Sequence, residues 1–184
     1  MLQTFILSAV VIVNEGFMQL QSIDKARYRK HLNRVIAISI LAFAGLSLGI
    51  AQFVIWQFTD GRGSHFNINL MGVIFAMLMV GLVLNKLKHH SFMTEIYYVW
   101  QLKQQLNQII RRSLKLNQAV ERNDPIAIQI MDYFYRASRQ LYELDDNTIT
   151  LEEHSTKALK IKNQMASLNI ASIDSPDPEN LSRY

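Results

Sequence analysis

The chain has no cysteine among its 184 residues. Disulfides, zinc–thiolate sites, iron–sulfur clusters and a cysteine nucleophile are therefore excluded. Charge is also scarce: 18% of residues are charged against 49% hydrophobic, whereas soluble domains carry roughly 25% charged residues. The deficit points toward lipid. There is no phosphate-binding glycine loop, no H-E-x-x-H and no nucleophile elbow, so the chain reads as non-enzymatic, with no catalytic, cofactor-binding or metal site and no small-molecule substrate.

What is present is concentrated in blocks. Val35 to Phe58 contains no charged residue and as a helix would be about 36 Å long, enough for a ~30 Å hydrocarbon core. Ile68 to Leu84 is a second apolar run of roughly 26 Å, extended to residue 87 if Lys86 and Lys88 reach toward headgroups. The expected organisation is an N-terminal cytoplasmic segment (1–34), a first membrane helix (35–58), a short external loop (59–67) and a second membrane helix (68–87). Asp60-Gly61 and Gly63-Ser64 supply the turn chemistry of that loop.

The net charge is +4 and the isoelectric point about 9.4. Basic residues bracket the apolar runs: Lys25, Arg27, Arg29, Lys30 and Arg34 precede the first, Lys86 and Lys88 follow the second, and Arg62 stands alone between them. The positive-inside rule then places both termini in the cytoplasm. Arg27, Arg29, Lys30, Arg34, Lys86 and Lys88 are the expected contacts to anionic headgroups, and Trp56 and Phe58 suit an aromatic belt. His89 and His90 sit beside the lysines. Adjacent histidines point about 100° apart on a helix, which does not suit two metal ligands on one face.

Residues 2–13 are apolar but too short to cross, and have no basic start for a signal peptide. Met18 offers an alternative start, so residues 1–17 read either as upstream sequence or as an interfacial segment. Within the first apolar run, Gly45 and Gly49 have G-x-x-x-G spacing, with Ala42 and Gln52 on the same face. Gly72 and Ala76 match that spacing in the second run. Packing within the hairpin and dimerisation both remain open for this face, and Gln52 reads as a polar contact between helices.

Beyond residue 90 the pattern becomes periodic. Val99, Leu102, Leu106, Ile109, Leu116 and Val120 recur at three-four spacing and predict one long amphipathic helix with a candidate association seam. Asp124-Pro125 starts a second helix, with a stripe through Ala127, Ile130, Phe134, Ala137, Leu141 and Leu144. Thr150 and Glu153 form a capping box for a third, with Leu151, His154, Ala158, Ile161, Met165 and Leu168. Residues 91–170 thus read as an antiparallel three-helix region, closed within one chain or paired as a coiled coil between chains. Residues 171–184, with Pro176 and Pro178, read as a disordered tail. Ten Lys or Arg against nine Asp or Glu over 91–170 give no strong field for nucleic acid.

The order of "RYRKHLNR", an apolar run, "FNINLMGV", "YYVWQLKQQL" and "YFYRASRQLYELDDN" resembles a family of small bacterial two-pass membrane proteins known only as a domain of unknown function. The likeness covers about residues 20–170. It implies a bacterial inner-membrane location and the same cytoplasmic helical region, and brings no activity or site residue. The expected class is all-α: a transmembrane helical hairpin followed by a cytoplasmic three-helix region. Its expected role is a membrane-anchored module for self-association or for binding another membrane protein. The alternative role is an accessory subunit of an inner-membrane transport complex.

Overall fold

The computed structural model describes residues 16–59, 64–147 and 151–184. Within them the chain forms seven α-helices and no strand: α1 (Lys25–Phe58), α2 (Phe66–Leu87), α3 (Thr94–Arg111), α4 (Ser113–Glu121), α5 (Pro125–Asp145), α6 (Leu151–Leu168) and α7 (Pro178–Ser182). They divide into two compact units. One covers residues 23–98, and the other joins the N-terminal segment to residues 99–184. The turn at Asp60-Gly61, Arg62 and the Thr150 half of the capping box lie outside the described residues.

The first unit is a helical hairpin. Asp24 begins α1 by accepting the amides of Ala26 and Arg27 at 2.9 and 3.1 Å, so the last part of the cytoplasmic segment expected up to residue 34, from Lys25 on, is the start of this 34-residue helix. Thr59 ends it, its hydroxyl donating to the Ile55 carbonyl at 2.6 Å. α2 returns over 22 residues and carries Lys86 in its last turn, where a cation complements the helix dipole. A 3-10 turn, Ser91–Met93, then leads into α3.

His90 has a local structural task in that turn. Its Nδ1 accepts the Phe92 amide at 3.2 Å, while His89 meets the edge of the Tyr97 ring at 5.5 Å. Glu95, in the first turn of α3, is buried and pairs with Arg27 at 2.8 Å. His31 lies over Phe92 with ring centroids 4.1 Å apart and brings its Nδ1 to 3.4 Å from the other Glu95 oxygen. These contacts tie the basic start of α1 to the start of α3.

The second unit centres on α5. Asp124 caps it by accepting the amide of Ile126 at 2.9 Å, and Pro125 takes the first turn, where no amide donor is needed. Ala127, Ile128, Ile130, Met131, Tyr133 and Ala137 are all at most 3% exposed, a band wider than the single stripe expected. α5 is buried on several sides because α4, α6 and the C-terminal segment all lie on it. Asn123, Asp146 and Asn169 have φ near +55° to +60°. Asn and Asp tolerate this left-handed conformation and so end α4, α5 and α6 without glycine.

Two expectations are corrected here. The single helix through Val99 and Val120 is broken at Arg112, with φ −107° and ψ 5°. The Arg112 amide bonds to Ile109 three residues back, tightening the turn, and its guanidinium donates to the Gln108 carbonyl. The C-terminal tail is ordered: Ser172 donates to the buried Asp132 carboxylate at 2.6 Å, Arg136 donates to the Ile173 carbonyl, and Leu181 of α7 is 2% exposed. Asp132 needs Ser172 and also Arg136, whose Nε donates to it at 3.0 Å, because a buried carboxylate without donors would be costly.

Tyr184 closes the tail onto the cap of α5, donating to Asp124 Oδ2 at 2.8 Å. Burial, aided by this bond, pushes its phenol up to about 12. Because this exceeds the ordinary value near 10, the tail's contribution is fully present below about pH 10 and is lost as pH rises through 12. Comparing absorbance titrations of the parent and Tyr184→Phe isolates this phenol, and Asp124→Asn is expected to bring it back toward 10. Asp124→Ala also removes the cap, at about 1 kcal/mol of unfolding free energy.

Candidate functional site

The hairpin presents the most distinctive surfaces of the chain. α1 and α2 are each long and apolar enough to cross a membrane, and most of their apolar stretch is not buried within the protein. Leu41, Phe53, Trp56, Phe58 and Met71 are all more than half exposed. A core helix of a soluble domain would hide such residues, and contiguous apolar surface of this extent marks contact with lipid or protein.

The two helices meet through small residues. Gly72 and Ala76 are buried on α2, and Gly72 lies opposite Ser47 and Ala51, both buried on α1. A Cβ built on Gly72 would lie 2.9 Å from the Ser47 carbonyl oxygen and 3.2 Å from the Ala51 Cβ. Glycine is required there because a backbone oxygen cannot turn aside. Gly72 and Ala76 therefore stand where the sequence places them, in helix packing.

Gly45, Gly49 and Gln52 do not. A Cβ at Gly45 or Gly49 would meet nothing within 4 Å, and Gln52 is exposed. Of the two readings open for this face, hairpin packing does not fit these positions: two residues of helix, about 200°, separate Gly45 from Ser47 and Gly49 from Ala51. The packing motif on α1 is Ser47-x-x-x-Ala51, itself a small-x-x-x-small pair. Spacing alone could have found it, but the glycine pair two residues earlier offers a stronger match to the same motif.

The basic flanks divide into engaged and outward residues. Arg27 is held by Glu95, and the Lys88 ammonium sits 6.0 Å over the Tyr97 ring. Arg29 is half-buried, whereas Lys30, Arg34 and Lys86 are exposed.

The expected association seam is consumed internally. Val99, Leu102, Leu106, Ile109 and Leu116 are at most 3% exposed, and Val120 is half-buried. The Tyr133 hydroxyl lies 3.3 Å from the Gln105 side-chain oxygen and Lys103 pairs with Asp145 at 2.9 Å, which sets α3 against α5. The N-terminal segment adds to this core: Phe17 meets the Tyr133 ring edge at 5.9 Å, and Tyr133 donates to the Met18 carbonyl at 2.8 Å. Stripes that face one another across short loops close on themselves, and within the chain these residues form an intramolecular core.

His154 is enclosed by aromatics that its position on a stripe does not reveal. Tyr142, Tyr135 and Phe134 surround it at 4.9, 5.3 and 5.8 Å between centroids. The Tyr142 hydroxyl is 3.3 Å from Nε2, and Nδ1 is buried without a hydrogen-bond partner among the described residues. Burial, with the nearby Lys157, lowers its pKa against an opposing pull from Glu153. Since the folded value lies below the unfolded one near 6.5, its contribution to stability is present above pH 6.5 and lost as pH falls through the lowered value. Thermal unfolding midpoints should fall on acidification through this range, and His154→Phe should flatten that part of the profile.

Among the described residues no three His, Asp or Glu side chains converge in a manner suited to a metal ion. What the fold and surfaces define is an all-α protein with two helices long and apolar enough to cross a membrane, followed by a helical module. The chain belongs to the family described as "Protein of unknown function (DUF3087)", whose model matches residues 18–179. No curated protein and no solved structure matches it.

Proposed function

We propose that the chain is a non-enzymatic, two-span anchor of the bacterial inner membrane that self-associates through α1. Its two termini and helical module lie in the cytoplasm, where the module serves as a platform for protein binding. The observation that carries this reading is the open face of α1. Gly45 and Gly49 leave room for another backbone, and beside them the exposed Gln52 amide would stand in hydrocarbon unless a partner bonds it. A second copy offers the same glycines and a self-complementary amide. The orientation rests on the basic residues before α1 and after α2.

The cysteine-free chain makes the test direct, because one introduced thiol is the only one. Gly49→Cys should give an oxidative dimer in native membranes, whereas Ser47→Cys, buried in the hairpin, should not. Single-step photobleaching of the tagged protein together with no cross-link from Gly45→Cys or Gly49→Cys would contradict self-association.

A second reading, an accessory subunit of a transport complex, draws on Gly81. This residue leaves α2 with an open position of its own, which would let the hairpin pack on a larger bundle. Stoichiometric recovery of transporter subunits with the detergent-extracted protein would favour it over the homo-oligomer.

A further inference from the structure

The hairpin is tight at Gly72 and Ala76, but toward its basic end it opens into a cleft of about 270 Å³. Ala42 and Leu46 of α1 and Val83 and Leu87 of α2 contribute to its walls, and Phe92 and Met93 of the 3-10 turn also line it. The change follows from side-chain size, since small residues let backbones approach and larger ones hold them apart. Among the lining residues only Ser39 and His90 are polar.

His90 is oriented as a donor. Because its Nδ1 accepts the Phe92 amide, the neutral ring carries its proton on Nε2, which remains to bond an acceptor at the rim. Arg34 precedes the lining residue Val35, and Lys86 and Lys88 flank the lining residue Leu87. An apolar cleft lined by His90, at the end of the hairpin where Arg34 and Lys86 adjoin its lining residues along the chain, is matched by an anionic amphiphile.

We propose that this cleft seats one acyl chain of an anionic phospholipid, with its phosphate at His90 and the flanking cations. The proposal rests on the membrane reading above. It differs from general annular contact in predicting one retained lipid per chain and a headgroup preference, since each basic residue beside a net anionic headgroup contributes about 1 kcal/mol, or roughly fivefold in affinity, that a zwitterionic one does not return.

The full chain, extracted in detergent, is to be titrated by native mass spectrometry with phosphatidylglycerol and with phosphatidylcholine of identical acyl chains. One phosphatidylglycerol per chain should be retained at least about fivefold more tightly than phosphatidylcholine. Arg34→Gln should narrow that gap, and Ser39→Phe, which fills the cleft, should lose the bound lipid. Equal retention of both lipids by the parent chain, or unchanged phosphatidylglycerol binding in Ser39→Phe, would overturn the proposal. Alkaline carbonate washing of native membranes separates the two levels: a chain released to the supernatant overturns the membrane reading and the lipid site together. A chain kept in the pellet with no headgroup preference overturns the lipid site alone.

Discussion

Replacing Gly72 by leucine is expected to part α1 from α2, while the same change at Gly45 leaves the hairpin intact. The new Cβ at position 72 would press on the Ser47 backbone oxygen at 2.9 Å and on Ala51 at 3.2 Å. Overpacking of this kind costs typically about 1–3 kcal/mol even before the remaining leucine atoms are placed. A Cβ at Gly45 meets nothing within 4 Å, so a side chain there starts into open space. Thermal unfolding of the detergent-extracted protein should therefore shift down for Gly72→Leu and stay unchanged for Gly45→Leu. Self-association should respond in the opposite sense for Gly45→Leu, which fills the face proposed to meet a second copy. If both variants unfold alike, the two faces of α1 have been assigned wrongly.

The second large effect is expected in the helical module. Leu106 and Ile109 are 3% and 1% exposed, so changing both to aspartate places two unpaired carboxylates in the core of α3 and α5. Each costs several kcal/mol even after partial neutralisation, against a total of about 5–15 kcal/mol for an ordinary domain. The module should lose its helical circular dichroism and become protease-sensitive. Leu114, on α4 but 73% exposed, supplies the comparison: Leu114→Asp should change stability by no more than about 0.5 kcal/mol. A doubly substituted protein that kept its helicity and only changed oligomeric state would return these leucines to an intermolecular role.

Much of this architecture is legible in the sequence because its strongest signals are local. Uncharged runs, the Asp124-Pro125 start and three-four spacing each depend on neighbours within a few turns. The face of a helix that meets a partner is not local. Gly45 and Gly49 were the better match to a packing motif, yet the register of the hairpin selects Ser47 and Ala51, and periodicity cannot choose between faces about 200° apart. The order of the tail was likewise hidden. Proline and polar residues around Pro176 suggest disorder until Asp132 and Arg136, some forty residues earlier, are seen to hold Ser172 and Ile173. The aromatic enclosure of His154 depends in the same way on α5 and α6 lying together, which fixes Tyr135 and Tyr142 around one imidazole.

The central claim is that α1 and α2 cross a membrane and return the chain to the side on which it began. Single thiols introduced into the cysteine-free chain test this with a membrane-impermeant maleimide on intact cells. Ser64→Cys, in the connection between α1 and α2, should be labelled from outside, and Gln101→Cys, in α3, should be labelled only after permeabilisation. Labelling of Gln101→Cys in intact cells would contradict the two-crossing anchor and the cytoplasmic placement of the module that follows it.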